Sequence, residues 1–122
     1  FDLPGWVTPE DVWDWFSKSD ILFMPSLSEG LPVTGVQALA KGLALVVSDI
    51  GGFVDLVDES KNGFLIETHE IAKFEEALRI LILNPEYLLE CRKKSLQKAQ
   101  EFDIVRIADQ YENIFQEIAG ER

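Results

Sequence analysis

Glu29 and Gln37 are the residues whose types and spacing could do chemistry in this chain. Glu29 stands in a polar loop after an apolar run, Ile21–Met24, and Gln37 follows eight positions later, just over one turn inside a predicted helix. A carboxylate is a negatively charged acceptor, and a side-chain amide offers a neutral carbonyl acceptor. A strand that feeds a polar loop into a helix N-terminus commonly holds an anion. The pattern therefore predicts a ligand site at this turn.

The helix predicted after the loop would supply hydrogen-bond donors to that anion, because a helix N-terminus carries partial positive charge. Pro32 at its start has no N–H. The backbone donors would be Gly30, Leu31, Val33 and Thr34, with the Thr34 hydroxyl in addition. Each feature also has a simpler interpretation: the glycine relieves a turn, the proline starts the helix, and the loop carboxylate caps it.

The composition predicts one folded domain over residues 1–122. The hydrophobic fraction of 47% suits a packed core rather than disorder. The formal net charge of −11 disfavours nucleic-acid binding, which needs a basic surface. The apolar runs are too short to span a bilayer, and no leader pattern opens the chain. Since the single cysteine, Cys91, cannot form an internal disulfide, we expect a reducing, cytoplasmic setting.

One predicted helix carries a cluster of basic residues, although the chain as a whole is acidic. The cluster comprises Arg92, Lys93, Lys94 and Lys98. We interpret it as a solvated helix face balanced by neighbouring glutamates, and a membrane- or phosphate-facing patch is the alternative. The single histidine, His69, has no second ligand at metal spacing, so we expect a surface residue at a helix start and no metal site.

Short apolar runs alternate with helical spacing along residues 1–69, which predicts βα units and a parallel sheet. We expect four strands, at residues 1–7, 21–25, 43–48 and 64–66, with helices at 32–41 and, briefly, after Gly51-Gly52. Residues 70–122 are predicted to form helices, the last one capped by Asp103. The expected fold class is therefore α/β, a partial doubly wound parallel sheet with a C-terminal helical tail. An unpaired strand edge would favour oligomerisation or domain swapping.

A further helix is predicted to begin near Thr8, with Pro9 at its first helical position. Its helical spacing predicts a buried stripe formed by Val12, Trp13 and Phe16. Trp6, Trp13 and Trp15 lie close together, and we expect them to pack in the core or at an interface.

Seven short motifs follow one another along the first two-thirds of the chain: FDLPGWV at 1–7, SD at 19–20, PS at 25–26, SEGLP at 28–32, ALAKG at 38–42, SDIGG at 48–52 and NGFL at 62–65. In this order they resemble the C-terminal half of a GT-B glycosyltransferase of group 1 (family 4, retaining). The resemblance implies a Rossmann-like domain that binds a nucleoside diphosphate sugar. It also implies a parent polypeptide whose acceptor-binding domain precedes residue 1, and we expect residues 1–122 alone to bind donor poorly and not to turn over.

The resemblance also assigns roles to residues. Glu29 would hydrogen-bond sugar hydroxyls and face the positive charge that builds on the anomeric carbon. The family's second glutamate, which grips the ribose diol, falls on Gln37, and this neutral amide would weaken nucleotide binding by about 1 kcal/mol. The diphosphate would lie at the mouth of the helix, and the base near Trp6 and Val7. The leaving diphosphate would accept the acceptor's proton, so no metal or cofactor is implied.

The function that follows is sugar transfer with retention, set in cell-surface polysaccharide or glycolipid assembly with peripheral membrane association of the parent. The alternative is a non-catalytic nucleotide-sugar-binding or scaffold module, with Gln37 marking a degenerate site. A flavodoxin- or receiver-like signalling domain is disfavoured, because no acidic cluster follows a first strand.

Overall fold

The computed structural model describes residues 1–30 and 32–121. Leu31, a residue of the predicted diphosphate site, therefore lies outside the described residues. Helices and strands alternate through the first half of the chain, and helices fill the second half. The described elements are α1 (Pro9–Ser17), β1 (Ile21–Met24), α2 (Val33–Ala40), β2 (Ala44–Ser48), α3 (Phe53–Leu56), β3 (Gly63–Ile66), α4 (Ile71–Leu83), α5 (Pro85–Ala99), a 3-10 turn (Gln100–Phe102) and α6 (Ile104–Gly120).

The three strands of the described chain form one parallel sheet in the order β1-β2-β3. Leu22 pairs with Leu45, and Leu45 pairs with Gly63, so the carboxyl ends of the strands meet at one edge. All five residues of the central strand β2 are buried. A continuous apolar run is typical of a parallel strand that is covered on both faces.

The residues of β2 alternate between two hydrophobic clusters, as the two-residue period of a strand requires. Leu45 and Val47 pack on one face with side chains that include Leu39 of α2 and Phe53 of α3. On the opposite face, Ala44 and Val46 pack with side chains of α4 and α5 that include Phe74, Leu81 and Cys91. Helices thus cover both faces, which confirms the expected α/β class with a doubly wound parallel sheet and a helical tail.

The strand predicted for residues 1–7 is wrong. These residues carry no strand, and the side chains of Phe1, Leu3 and Trp6 are exposed. A strand is stable only when it pairs with a neighbour, but Pro4 lacks a ladder donor and Gly5 has a φ of +73°, which ends the extended conformation. The described sheet therefore has three strands rather than four.

Helix α1 begins as expected, and its predicted stripe is only partly covered: Val12 and Phe16 are half-buried, and Phe16 packs against the core. The Thr8 side chain accepts from the N–H of Asp11, whose carboxylate accepts from the N–H of Thr8 in return. No residue of α1 is buried, and Trp13 is 38% exposed. Its ring instead lies beneath the ammonium of Lys41, 4.9 Å from the ring centre. Of the two placements expected for the three tryptophans, the core is wrong, since Trp6, Trp13 and Trp15 are all exposed, and packing at an interface stays a prediction.

Three of the four side chains of the basic cluster on α5 pair with carboxylates, as its interpretation as a balanced polar face predicted, and Lys94 donates to the Gln97 amide oxygen. The pairs are Arg92 with Asp20, Lys93 with Glu90, and Lys98 with Asp58 and Glu101. Three of the partners, Asp20, Asp58 and Glu101, lie outside α5, and the first two tie the helix to the segments around the sheet.

Other predictions concern single residues. Cys91 is buried with a free thiol, and His69 is exposed just before α4. The Asp103 carboxylate caps α6 by accepting from the N–H groups of Val105 and Arg106. The apolar face of α6 stays exposed, including Tyr111 and the side chains of Val105, Ile114, Phe115 and Ile118. Among the helices of residues 1–30 and 32–121, none combines the length and the apolar character that a bilayer crossing would need.

Candidate functional site

The candidate site is the loop that joins β1 to α2 at the carboxyl edge of the sheet. β1 ends at Met24, and α2 begins at Val33 after Pro32, its N-cap residue. In open parallel sheets, ligands bind at this edge, where loops leave the strands. Glu29 is half-buried in this loop, whereas the neighbouring Gly30 is exposed. Residue 29 is thus partly covered by its surroundings.

The N-terminus of α2 lies four residues after Glu29 in the chain and carries partial positive charge. The N–H groups of Gly35 and Val36 both donate to the carbonyl of Pro32, at 2.9 and 3.2 Å. The N–H groups of Val33 and Thr34 precede these first intrahelical bonds, and they belong to the donors that a helix leaves for an outside acceptor. Two of the predicted diphosphate donors therefore lie at the helix N-terminus, as the sequence indicated.

Close packing fixes the direction of α2. Gly35 is buried, and a Cβ placed on it would lie 2.5 Å from Cδ1 of Leu56 in α3. Ala38 and Leu39, farther along α2, are fully buried. Small residues in this helix therefore let it approach α3 and the sheet closely, so that its N-terminus stays at the carboxyl edge.

Gln37 lies one turn after Val33, on the same face of α2. Its side chain is half-buried, whereas Val33 is 67% exposed. Within the described residues no hydrogen bond joins Gln37 to Glu29. Sequence reasoning placed the two near one cleft, and the structure puts Gln37 on the helix that opens at the Glu29 loop.

Trp6 and Val7 are placed differently from the other predicted residues. The indole of Trp6 is fully exposed and Val7 is 37% exposed, in the segment that forms no strand. No described contact ties them to the Glu29 loop. Their role beside a nucleotide base therefore stays a prediction.

A contact that sequence reasoning missed joins the Glu29 loop to the turn after β2. The N–H of Gly52 donates to the carbonyl of Gly30 at 2.7 Å. The sequence offered a signal for it, the paired glycines separated by two residues from the end of the neighbouring strand, but this pattern indicated backbone geometry first and an anion-binding turn as the alternative. The two turns at this edge of the sheet are hydrogen-bonded to each other.

The described residues contain no group of three or more histidine, cysteine, aspartate or glutamate side chains arranged to hold a metal ion. The chemistry that this arrangement can perform rests instead on one carboxylate and a set of backbone N–H groups. The carboxylate suits hydroxyl groups and a developing positive charge, and the N–H groups suit an anion such as a phosphate.

Comparison with known proteins gives the family of the chain. Residues 1–98 match the family described as glycosyl transferases, group 1. An uncharacterized glycosyltransferase of Haemophilus influenzae is 34% identical over 85% of this chain and 30% of its own length. The UDP-Gal:alpha-D-GlcNAc-diphosphoundecaprenol alpha-1,3-galactosyltransferase of Escherichia coli is 32% identical over 93% of this chain and 29% of its own length.

A solved structure is similar in fold. The crystal structure of Anabaena HepE in complex with UDP-glucose superposes with a TM-score of 0.76 at 22% identity, covering 88% of this chain and 30% of that one. The chain thus spans less than a third of the length of these proteins. The match to the family extends over both β1 and α2 and over the loop between them, and this chain belongs to the group 1 glycosyltransferases.

Proposed function

We propose that this chain is part of the donor-binding domain of a retaining glycosyltransferase. The parent protein would transfer a sugar from a nucleoside diphosphate sugar to an acceptor hydroxyl. The observation that carries the proposal is the position of Glu29, a half-buried carboxylate in the loop that leads into the N-terminus of α2. UDP-glucose bound to the structurally similar HepE supports a nucleotide sugar as the donor class.

In the proposed reaction, the negative charge of Glu29 and the partial positive charge at the N-terminus of α2 act in one step. The bond between the anomeric carbon and the diphosphate oxygen breaks, and the acceptor oxygen forms its bond on the same face of the sugar. The acceptor's proton passes to the departing diphosphate. Glu29 stabilises the positive charge on the sugar, while the N–H groups of Val33 and Thr34 stabilise the negative charge on the diphosphate. The proposal calls on no metal or cofactor.

Gln37 would bind the ribose of the nucleotide through its side-chain carbonyl. Its place on the Val33 face of α2, half-buried, supports this role. An amide accepts a hydrogen bond less strongly than a carboxylate does, so we expect moderate nucleotide affinity. The same weakness is the basis for a second candidate function, a module that binds nucleotide sugar without turning it over.

The proposed setting is the assembly of cell-surface polysaccharide or glycolipid. The E. coli relative is named for the acceptor alpha-D-GlcNAc-diphosphoundecaprenol, in which a sugar is linked to a lipid through a diphosphate. We extend this class of acceptor to the parent of the present chain, together with a cytoplasmic location and peripheral membrane association. An acceptor-binding domain elsewhere in the parent polypeptide would complete the active site.

The test uses the complete polypeptide that the gene encodes, because this chain spans less than a third of its relatives. UDP-glucose, UDP-galactose, UDP-N-acetylglucosamine and GDP-mannose serve as donors, a diphosphoundecaprenol-linked sugar serves as acceptor, and release of the nucleoside diphosphate is measured. We expect turnover of at least one donor, and a loss of about 10²-fold or more in Glu29→Ala, as for removal of a transition-state electrostatic contact. Glu86→Ala, at an exposed position of α5, is the control.

The outcomes separate the two candidate functions. Turnover in Glu29→Ala within twofold of the wild type would remove Glu29 from catalysis. Calorimetric binding of UDP without turnover of any of the four donors would favour the non-catalytic module. A wild type that neither binds UDP nor turns over a donor would contradict both.

A further inference from the structure

The turn between β2 and α3 leaves no room for a side chain at Gly51. A Cβ placed on Gly51 would lie 1.9 Å from the carbonyl oxygen of Glu29 and 2.9 Å from the carbonyl carbon of that residue. Atoms cannot approach so closely, so one of the two turns would have to move. The backbone of Gly51 is thus in direct contact with the backbone of the proposed catalytic residue.

This contact differs in kind from that of Gly42, the glycine at the C-terminal end of α2. Gly42 also has a positive φ, +69° against +49° at Gly51. A Cβ placed on Gly42 would meet the Leu96 side chain at 3.1 Å or more, and a side chain can rotate away. The neighbour of Gly51 is backbone, which can move only if the whole Glu29 loop moves with it.

The turn that carries Gly51 is held at both ends, so the Glu29 loop is the part that would yield. Asp49 donates its N–H to the carbonyl of Ile66 of β3 at 2.8 Å, directly after the buried strand β2. On the other side, Phe53 is fully buried and begins α3. The hydrogen bond from Gly52 to Gly30 then transmits the position of this fixed turn to the loop.

We propose that Gly51 is a positioning residue for Glu29. Because Gly51 has no side chain, the turn after β2 packs directly against the Glu29 backbone. This contact fixes the distance between the Glu29 carboxylate and the donor. The inference rests on the proposed function, because the distance between Glu29 and the donor matters only if Glu29 acts on a bound donor. α2 is packed against α3 through Gly35 and Leu56, so the N–H groups of Val33 and Thr34 at its N-terminus should keep their place, whereas Gly30, the other predicted donor, moves with the Glu29 loop.

The test compares Gly51→Ala with Gly42→Ala in the complete polypeptide. Both variants place a Cβ at a positive φ, but only the first pushes on Glu29. We expect kcat to fall about 10²-fold in Gly51→Ala, the loss typical of a displacement of about 1 Å. UDP affinity should stay within about threefold, and Gly42→Ala should keep kcat within about twofold. Equal kcat in the two variants would overturn the proposal.

A second variant separates the space requirement from the backbone conformation. Asparagine tolerates a positive φ better than alanine but brings the same Cβ. Gly51→Asn should therefore fold more stably than Gly51→Ala and lose the same turnover. Recovery of wild-type kcat in Gly51→Asn would show that space beside Glu29 is not limiting, and would overturn the inference.

A double-mutant cycle tests whether Gly51 acts through Glu29. In the Glu29→Gln background, Gly51→Ala should lower kcat by less than about twofold, because the group it positions is already changed. Two full, multiplicative losses would overturn the inference while leaving the proposed function intact. Full turnover in Glu29→Gln would instead contradict the proposed function.

Amide hydrogen exchange gives a readout that needs no donor. In Gly51→Ala, the Gly52 amide, which donates to the carbonyl of Gly30, should exchange faster than in Gly42→Ala. Equal exchange in both variants would overturn the positioning role even if no donor is ever turned over.

Discussion

The side chain of Arg92 on α5 binds the end of α2, since its Nε donates to the carbonyl of Gly42 at 2.7 Å. The same guanidinium pairs with Asp20, just before β1. Arg92→Met would remove a charge-assisted hydrogen bond to a helix C-terminus and an ion pair together. We expect a loss of about 1–2 kcal/mol in the free energy of unfolding, measured by urea denaturation of the complete polypeptide.

Lys93→Met is the matched control for Arg92. Lys93 neighbours Arg92 on α5 and pairs only with the exposed Glu90 within the described residues. Such a pair contributes less than about 0.5 kcal/mol, so the variant should unfold at nearly the same urea concentration as the wild type. Equal losses in the two variants would contradict a special role for the Gly42 contact.

The contact between Gly35 and Leu56 predicts a loss of stability where helix propensity alone predicts a gain. Alanine in a helix interior is favoured over glycine by about 1 kcal/mol. The Cβ in Gly35→Ala would meet Cδ1 of the fully buried Leu56 at 2.5 Å, and overpacking in a core costs about 1–3 kcal/mol. We expect a net lower melting temperature, by differential scanning calorimetry.

Two further variants check that explanation. Leu56→Ala removes the side chain that clashes and costs about 2–5 kcal/mol by itself. In that background, Gly35→Ala should be neutral or stabilising, because space is available. Gly120→Ala in α6, where a Cβ meets nothing within 4 Å, should not lower the melting temperature.

Gln37→Glu should strengthen nucleotide binding if residue 37 contacts the ribose. A carboxylate is the stronger acceptor, and a gain of about 1 kcal/mol corresponds to a roughly fivefold lower Kd. Isothermal titration calorimetry with UDP measures it at neutral pH. An unchanged Kd would remove Gln37 from the site, whereas Gln37→Ala should weaken binding if the site is as proposed.

The raised pKa of Tyr87 predicts a loss of stability at alkaline pH. Burial raises the pKa of Tyr87 from 10.0 to about 12, with contributions from Cys91 and Glu59, while its hydroxyl donates to the carbonyl of Ser60 at 2.7 Å. Because the folded state favours the neutral phenol, its stabilising effect is complete below pH 10 and is lost as the pH rises from 10 toward 12. Urea denaturation across this range should show that decline.

Tyr87→Phe should flatten the alkaline decline, since no phenol remains to ionise at that position. At neutral pH it should cost about 0.5–1 kcal/mol for the lost hydrogen bond. An alkaline decline of the same size in both proteins would mean that other groups cause it.

Local sequence patterns predicted the elements around the site well. The apolar run before Glu29 forms β1, the small-residue segment forms α2, and the stretch rich in β-branched residues forms the buried β2. In each case, local preference and tertiary packing favour the same conformation. The position of Glu29 at a helix mouth was therefore predictable from its neighbours in the chain.

The errors lie where tertiary packing decides. Residues 1–7 have strand-like residues but no neighbouring strand in the described sheet, and Trp13 lies on the side of α1 that stays exposed while Phe16 packs against the core. The contact between Gly51 and Glu29 could not be predicted from the sequence for a different reason. It joins residues 22 positions apart, and it depends on the register of β1 against β2, which a sequence pattern does not give.

The complete burial of β2 also has a practical consequence for directed evolution of this domain. The four apolar side chains of that strand pack in the core on one face or the other, so their substitution would lower stability. The loops at its end and at the end of β1 carry the exposed positions instead. Libraries aimed at a new sugar preference would therefore keep the strands constant and vary the connecting segments.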